Sequence, residues 1–230
     1  MRAAVISDIH GNLPALKAVL SDLGGVDALY CLGDIVGYGP EPNEVAEEIR
    51  RMSPDAVLMG NHDYAVITGD TSEFNTQAAL AIEWTRARLD VGNGEYLSLL
   101  SASAHFQVAG RTVGLYHGSP RDPLNEYIFP GQPNFILRSL VDAARAEIVL
   151  LGHTHVPFKA EINSSLLANP GSVGQPRDGD PRASYGILEV DSARFDFTIR
   201  RVRYDVDLVA SKIRNSGLPA FLADRLYIGA

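Results

Sequence analysis

Five of the six histidines in this chain fall inside short polar clusters that also hold aspartate, asparagine and glycine: Asp8-Ile9-His10, Gly33-Asp34, Gly60-Asn61-His62-Asp63, Tyr116-His117-Gly118 and Gly152-His153-Thr154-His155. Asp8 and His10 are two residues apart, a spacing that points both side chains the same way at an extended strand end, and His153 and His155 repeat it. Two such pairs can face one cavity. Carboxylate and imidazole together suit manganese, iron or zinc, whereas calcium or magnesium would rely on oxygen donors. The chain has one cysteine, Cys31, so a thiolate-based structural zinc site and an internal disulfide are both excluded. Asp34, with two carboxylate oxygens and a position between the other clusters, is the natural candidate to bridge two ions. Asn61 adds a neutral oxygen donor, which keeps the negative charge of the cluster down.

The elements that must position these residues are legible in the apolar runs. Ala3-Ala4-Val5-Ile6 has the pattern of a strand buried on both faces, and Asn12-Leu13-Pro14-Ala15 supplies the cap and early proline of a helix start. The same reading gives a strand over 28–32 ending at Gly33-Asp34, a helix from Pro42 to Met52, and a strand over 56–59 ending at Gly60-Asn61-His62. Helices are expected from Asn75 to Leu89, Glu95 to Leu100 and Phe135 to Ala146. A hairpin around Ala109-Gly110-Arg111 delivers His117, and a strand over 148–151 stops at Gly152. From Phe158 to Tyr204 strand signals dominate, with turns at Asn163-Ser164 and Asp191-Ser192, before closing helices over 206–213 and 220–225. The early alternation of strand and helix implies parallel strands, and the later meander implies antiparallel ones. The Pro/Gly/Asp-rich stretch 169–181 is short and flanked by strands, so it reads as a loop. With no linker or repeat, residues 1–230 are expected to form a single domain.

The 230 residues can bury a core without disulfides or a structural metal. With 28 acidic against 20 basic side chains the net charge is -8, a field that repels polyanions, so stable nucleic-acid binding is not expected. Bound divalent cations would reverse that sign locally. No apolar run reaches the roughly 18 residues of a membrane span. The chain opens on an apolar strand without a basic leader or cleavage site, so the expectation is a cytoplasmic protein with no membrane contact. Nothing in the residues sets an oligomeric state.

The clusters, taken in order, resemble the calcineurin-like metallophosphoesterase superfamily, whose pattern D-x-H, GD, GNH[DE], a lone H and GHxH is present in full from Asp8 to His155. The resemblance implies an α/β fold, a four-layer α/β/β/α sandwich of two mixed sheets with a dinuclear site at the top. It implies that Asp8, His10, Asp34 and His155 hold one divalent ion and that Asp34, Asn61, His117 and His153 hold the other, the ions being manganese, iron, nickel or zinc. It also makes His62 the catalytic group beside them. Two such cations, about 3.5–4 Å apart, lower the pKa of a bridging water to give hydroxide and stabilise charge on phosphoryl oxygens. His62 is then available to bond a phosphoryl oxygen or protonate the leaving alkoxide. Asp63 either holds the imidazole of His62 in orientation or, as an adjacent residue, points elsewhere.

Departures from the pattern narrow the reading. The Ser/Thr phosphoprotein phosphatases continue their second motif as GDxVDRG, whereas this chain has Gly33-Asp34-Ile35-Val36-Gly37-Tyr38-Gly39 and lacks that arginine. Its length and the segment 169–177 look instead like small bacterial and archaeal phosphodiesterase-type members. The expected activity is hydrolysis of a phosphodiester or phosphomonoester in a small phosphorylated or nucleotide-type substrate. The alternatives are a phosphoprotein phosphatase, or a non-catalytic metal-site scaffold of the same fold in which the catalytic histidine is lost. Neither a GxGxxG nor a GxxxxGK[ST] loop follows any strand, and no GxSxG elbow occurs. Arg121 and Arg177 are the cations nearest the motifs, either a phosphate clamp or solvated loop residues. Tyr38 is placed to stack on a base or simply to pack. His105 has no assigned role, and Cys31 reads as a small buried hydrophobe.

Overall fold

The computed structural model describes residues 1–230 and is built on two five-stranded mixed sheets. In spatial order the first sheet holds β10 (Phe195–Val202), β9 (Ala183–Val190), β1 (Arg2–Ile6), β2 (Ala28–Cys31) and β3 (Ala56–Val57), with β1, β2 and β3 parallel and β9 and β10 antiparallel to their neighbours. The second holds β4 (Ser103–Val108), β5 (Arg111–Tyr116), β6 (Ile148–Leu151), β8 (Ser165–Asn169) and β7 (Phe158–Ile162), its three central strands parallel and its edges antiparallel.

Strand periodicity sorts each run into two layers of core. Ala3 and Val5 of β1, Tyr30 of β2, Val113 and Leu115 of β5, Ile148 and Leu150 of β6, and Leu166 of β8 meet between the sheets. The alternate residues face outward. Ala4, Ile6, Leu29 and Cys31 pack against Leu16 and Val19 of α1 (Leu13–Asp22) and Val45 and Ile49 of α2 (Pro42–Met52). Val149, Leu151 and Leu167 pack against Leu137 and Leu140 of α6 (Asn134–Ala144). The result is the expected order of helix, sheet, sheet, helix. Asn12 caps α1 by accepting from the Ala15 amide at 3.1 Å, and the two-residue turn at Ala109 (φ 50°) and Gly110 (φ 80°) closes the β4–β5 hairpin.

Two helices depart from the sequence expectation. The third cluster opens α3 (Asn61–Thr68) instead of closing a strand, because Gly60 is extended and Asn61 is already helical. The helix expected from Glu95 begins earlier, as α5 (Val91–Ser98). At one end of the molecule α4 (Thr76–Arg86), α7 (Val206–Ser216) and α8 (Phe221–Asp224) bury Tyr38 among Ala78, Val209 and Leu222. No helix is long and apolar enough to cross a membrane.

Candidate metal centre

Parallel strands run their carboxyl ends to the same edge of each sheet, and that edge receives every polar cluster: 8–10 after β1, Asp34 after β2, Asn61 and His62 after β3, His117 after β5, and 153–155 after β6. The strands stop short of the donors. Asp8 (φ 54°), His10 (φ 51°), Asp34 (φ 53°), His153 (φ 67°) and His155 (φ 60°) are all left-handed. The i, i+2 pairs therefore do not share a face through extended backbone, as the sequence suggested; their convergence comes from turns that only the surrounding contacts hold. Such residues cost on the order of 1–3 kcal/mol each and cluster where a site over-determines them, and Asp and His tolerate the conformation better than most.

Those contacts link loop to loop. The Asp8 and His10 amides donate to the Gly33 and Asp34 carbonyls at 3.0 and 2.9 Å, and the Val173 and Gly174 amides donate to the Ser7 and Asp8 carbonyls at 3.0 Å each. The Ser172 hydroxyl donates to the Asp8 carbonyl at 2.7 Å, and Asn169 donates to the Gly152 carbonyl at 2.6 Å. Position 60 must be glycine for a related reason: a Cβ there would lie 2.0 Å from Asp34 Oδ1.

The side chains converge as two groups that share one carboxylate. One ligating atom from each of Asp8, His10, Asp34 and His155 lies within 4.8 Å of the others, and the same holds for Asp34, His117 and His153. Asp34 Oδ1 accepts from the His62 amide at 2.8 Å, while Oδ2 is buried without a hydrogen-bond partner and stands 3.5 Å from Nε2 of both His10 and His117. Asp8 Oδ1 is likewise orphaned, 3.3 Å from His155 Nε2.

Backbone carbonyls decide which imidazole nitrogens are free. A carbonyl can only accept, so Nδ1 of His10, His117 and His155, facing the Val36, Leu32 and Gln175 carbonyls, and Nε2 of His153, facing the Asn125 carbonyl, carry the protons. The remaining nitrogens present lone pairs inward. His10 Nε2 and His155 Nε2 then face each other at 3.0 Å, and His117 Nε2 faces Asn61 Oδ1 at 3.1 Å. Lone pairs at such separations repel unless a cation lies among them, so the donor set fits divalent ions. The carbonyl-anchored imidazoles are the usual arrangement of metal-ligating histidines.

Burial drives the electrostatics of the same groups. It holds His153 at about 3 and His155 at about 4, with His10 and His117 also below the ordinary histidine value, so all four imidazoles are neutral and able to ligate near pH 7. Burial, then Asp8 and Asp63, pushes the Asp34 carboxyl well above the ordinary range. A nearby divalent charge inverts that preference.

The other residues singled out by sequence are placed unequally. His62 is buried and lines a cavity of about 70 Å³ together with Asp34, Asn61, His153 and His155, and its Nδ1 has no partner. Asp63 does not orient His62. Its carboxylate accepts from the amides of Ile35, Val36 and Gly60 at 3.2, 3.0 and 3.0 Å, fixing the loop that carries Asp34. Arg177 lines the cavity, its Nη2 donating to Gln175 Oε1 at 3.1 Å while its buried Nε has no partner. Tyr38 packs between His10 and His62, with ring centroids 4.7 and 4.4 Å away, so packing describes it better than an open stacking face. Arg121 stands outside the cavity. The turn after His117 folds it back into an ion pair with Glu126, which leaves no free guanidinium for phosphate. His105 bonds the Tyr116 hydroxyl in the β4–β5 pair, away from the donors.

As loop clamps Asn169, Ser172 and Gln175 carry no individual signal in the sequence, although the segment that holds them stands out by its Pro/Gly/Asp composition. The same is true of Phe74 and Tyr127 on the cavity wall; aromatics in aperiodic loops carry no signal of their own.

The family comparison agrees with this geometry. The model of the calcineurin-like phosphoesterase superfamily domain matches residues 1–193. The chain belongs to that superfamily. A metallophosphoesterase from Sphaerobacter thermophilus is 40% identical with a TM-score of 0.84, each chain covered completely. An uncharacterized protein of Methanocaldococcus jannaschii is 38% identical over 98% of this chain and 97% of its own length. Phosphodiesterase YfcE of Escherichia coli is 26% identical over 83% of this chain and 89% of its own length. Vps29 of Chaetomium thermophilum, at 15% identity and a TM-score of 0.55 over 89% of this chain and 87% of its own, shares the fold. Within the calcineurin-like phosphoesterases, then, this chain carries a buried Asp/His cluster suited to metal binding.

Proposed function

We propose that the protein is a hydrolase of phosphate esters, a phosphodiesterase or phosphatase acting on a small phosphorylated or nucleotide-type substrate, with two divalent cations held around Asp34. The observation that carries the reading is Asp34 Oδ2, buried, without a hydrogen-bond partner, and equidistant at 3.5 Å from imidazole nitrogens of the two donor groups. Asp8, His10 and His155 would complete one ion's shell and Asn61, His117 and His153 the other's. Manganese, iron, nickel and zinc all suit these donors. When bound, the cations supply a water of lowered pKa and offset charge on the phosphoryl oxygens.

The chain's own residues do the rest. His62, on the first turn of α3 and lining the cavity, is placed to donate its N–H to a phosphoryl oxygen, the role that suits an imidazole that burial, then Arg177, holds well below the ordinary histidine value. Arg177, aimed by Gln175, is placed to hold a phosphoryl oxygen through its free N–H groups. Asp63 holds the Asp34 loop still while this happens. A purely structural scaffold has no use for a buried histidine with an unsatisfied ring nitrogen, so retention of His62 favours catalysis over that alternative. We read residues 1–230 as one domain, because β10 pairs with β9 along its length and α7 and α8 pack on the Tyr38 loop. The single thiol fits a reducing compartment such as the cytoplasm.

Hydrolysis of bis(4-nitrophenyl) phosphate and 4-nitrophenyl phosphate by chelator-stripped protein, with manganese, nickel, zinc or magnesium added back, tests the reading. Turnover is expected to depend on the added ion, to disappear in Asp34→Ala, and to fall by about 10²-fold or more in His62→Ala. Undiminished turnover in Asp34→Ala refutes the bridging role.

A further inference from the structure

We propose that Tyr127 and Phe129 form a stacking platform at the mouth of the metal cavity for a planar aromatic group carried by the phosphate substrate, of the kind a nucleobase presents. The proposal rests on the phosphoesterase reading and assigns the part of the substrate that the metal cluster does not touch.

Asp34, His62 and His153 form the buried wall of the cavity and Glu73, Asn75 and Tyr127 its exposed rim, so a phosphate held at the metal cluster presents the rest of its molecule to that rim. At that rim stands Tyr127. Its ring lies 3.8 Å from that of His153 between centroids, and it is parallel to Phe129 within 5° at 5.9 Å. Tyr127 is 49% and Phe129 45% exposed, while Ile128 between them is buried against the α6 face. That alternation pins the segment from below and turns both rings to solvent.

The loop is also tied at its start. The Asn125 carbonyl accepts from His153 Nε2 at 3.2 Å, Asp122 Oδ1 accepts from the Leu124 and Asn125 amides at 3.2 and 3.1 Å, and Arg121 and Glu126 are ion-paired. Tyr127 rests on His153 and beside Phe129, yet about half of each ring stays open to water on this anchored loop, and an aromatic ligand stacked there would cover that apolar area. The same cavity offers polar partners for a heteroaromatic edge. Asn75 spends its side-chain oxygen capping α4, which leaves its amide N–H groups to donate, and Glu73 can accept. A nucleobase meets both demands; an aliphatic chain covers the rings but cannot bond Asn75 and Glu73.

Calorimetric titration of the metal-loaded protein with adenosine 5′-monophosphate and with ribose 5-phosphate isolates the base, since the second carries an anomeric hydroxyl where the first carries adenine. Wild type is expected to bind the nucleotide about 5- to 150-fold more tightly, the span of base–aromatic stacking. Phe129→Ala and Tyr127→Ala should shrink that ratio while leaving ribose 5-phosphate affinity in place, and Tyr127→Phe should retain it. Equal wild-type affinities, failure of both ligands to bind, or equal weakening of both ligands in the alanine variants overturns the platform. Hydrolysis of bis(4-nitrophenyl) phosphate by the same preparation keeps the two readings apart. Turnover without base preference sinks the platform alone, and base preference without turnover sinks the catalytic reading alone.

Discussion

Along β1 and β6, Ala3, Val5, Ile148 and Leu150 lie in the space between the sheets, and a few residues further along the same chain segments Asp8, His10, His153 and His155 are just as deeply buried. The first set gives up water and gains apolar neighbours, which stabilises the fold by roughly 1.5–3 kcal/mol for each large aliphatic side chain. The second set gives up water and gains facing lone pairs and left-handed backbone. One region is built for stability. The other is tolerable to the fold because clamps from 169–175 hold it, and it becomes favourable when cations enter.

The contrast can be broken from either side. Leu150→Ala, in the middle of the inter-sheet core, should lower the unfolding free energy by about 2–5 kcal/mol in chemical denaturation while leaving the thermal shift on adding manganese intact. Asp34→Asn should do the reverse: the metal-free protein keeps or gains stability, since the cost of ionising a buried carboxyl is gone, and the ion-induced shift disappears. If both substitutions lowered metal-free stability alike, the site would be part of the structural core and the contrast would fail.

A smaller effect sharpens the picture within the site. Arg177→Gln should raise KM for bis(4-nitrophenyl) phosphate by about tenfold, an amount ordinary for one charge-assisted hydrogen bond, with the ion-induced thermal shift unchanged. A change in ion binding instead would make Arg177 a support for His155, whose carbonyl accepts from the Arg177 amide at 3.2 Å. The smallest effect belongs to Cys31. Burial pushes its thiol up to about 12, so a thiol-specific reagent at pH 8 should leave native protein unlabelled and react only on unfolding. Rapid labelling of native protein would show that the β2 layer opens.

The core was legible because its signal is local. The runs 3–6 and 148–151 are apolar over four residues, and strand alternation assigns each side chain to a layer without tertiary information. The donors were legible because five of the six histidines fall in short clusters with aspartate, asparagine and glycine that follow apolar runs. Their geometry was not, since left-handed Asp8, His10 and His153 look like any other residues until the loops from 33–35 and 172–174 close on them. The choice between the two readings of Asp63 was hidden for the same reason: its partners, the Ile35 and Val36 amides, follow another strand. Arg121 and Arg177 show how weak sequence proximity is. The turn at 118–122 carries Arg121 away to Glu126, whereas the loop between β8 and β9 lays Arg177 beside His155.

The most direct test counts ions. Chelator-stripped wild-type protein titrated with manganese or zinc, with bound metal measured per chain after removal of the excess, should retain two ions, and Asp34→Asn should fail to retain the pair. One ion or none in the wild type, or two still held by Asp34→Asn, contradicts a pair of cations organised around the Asp34 carboxylate.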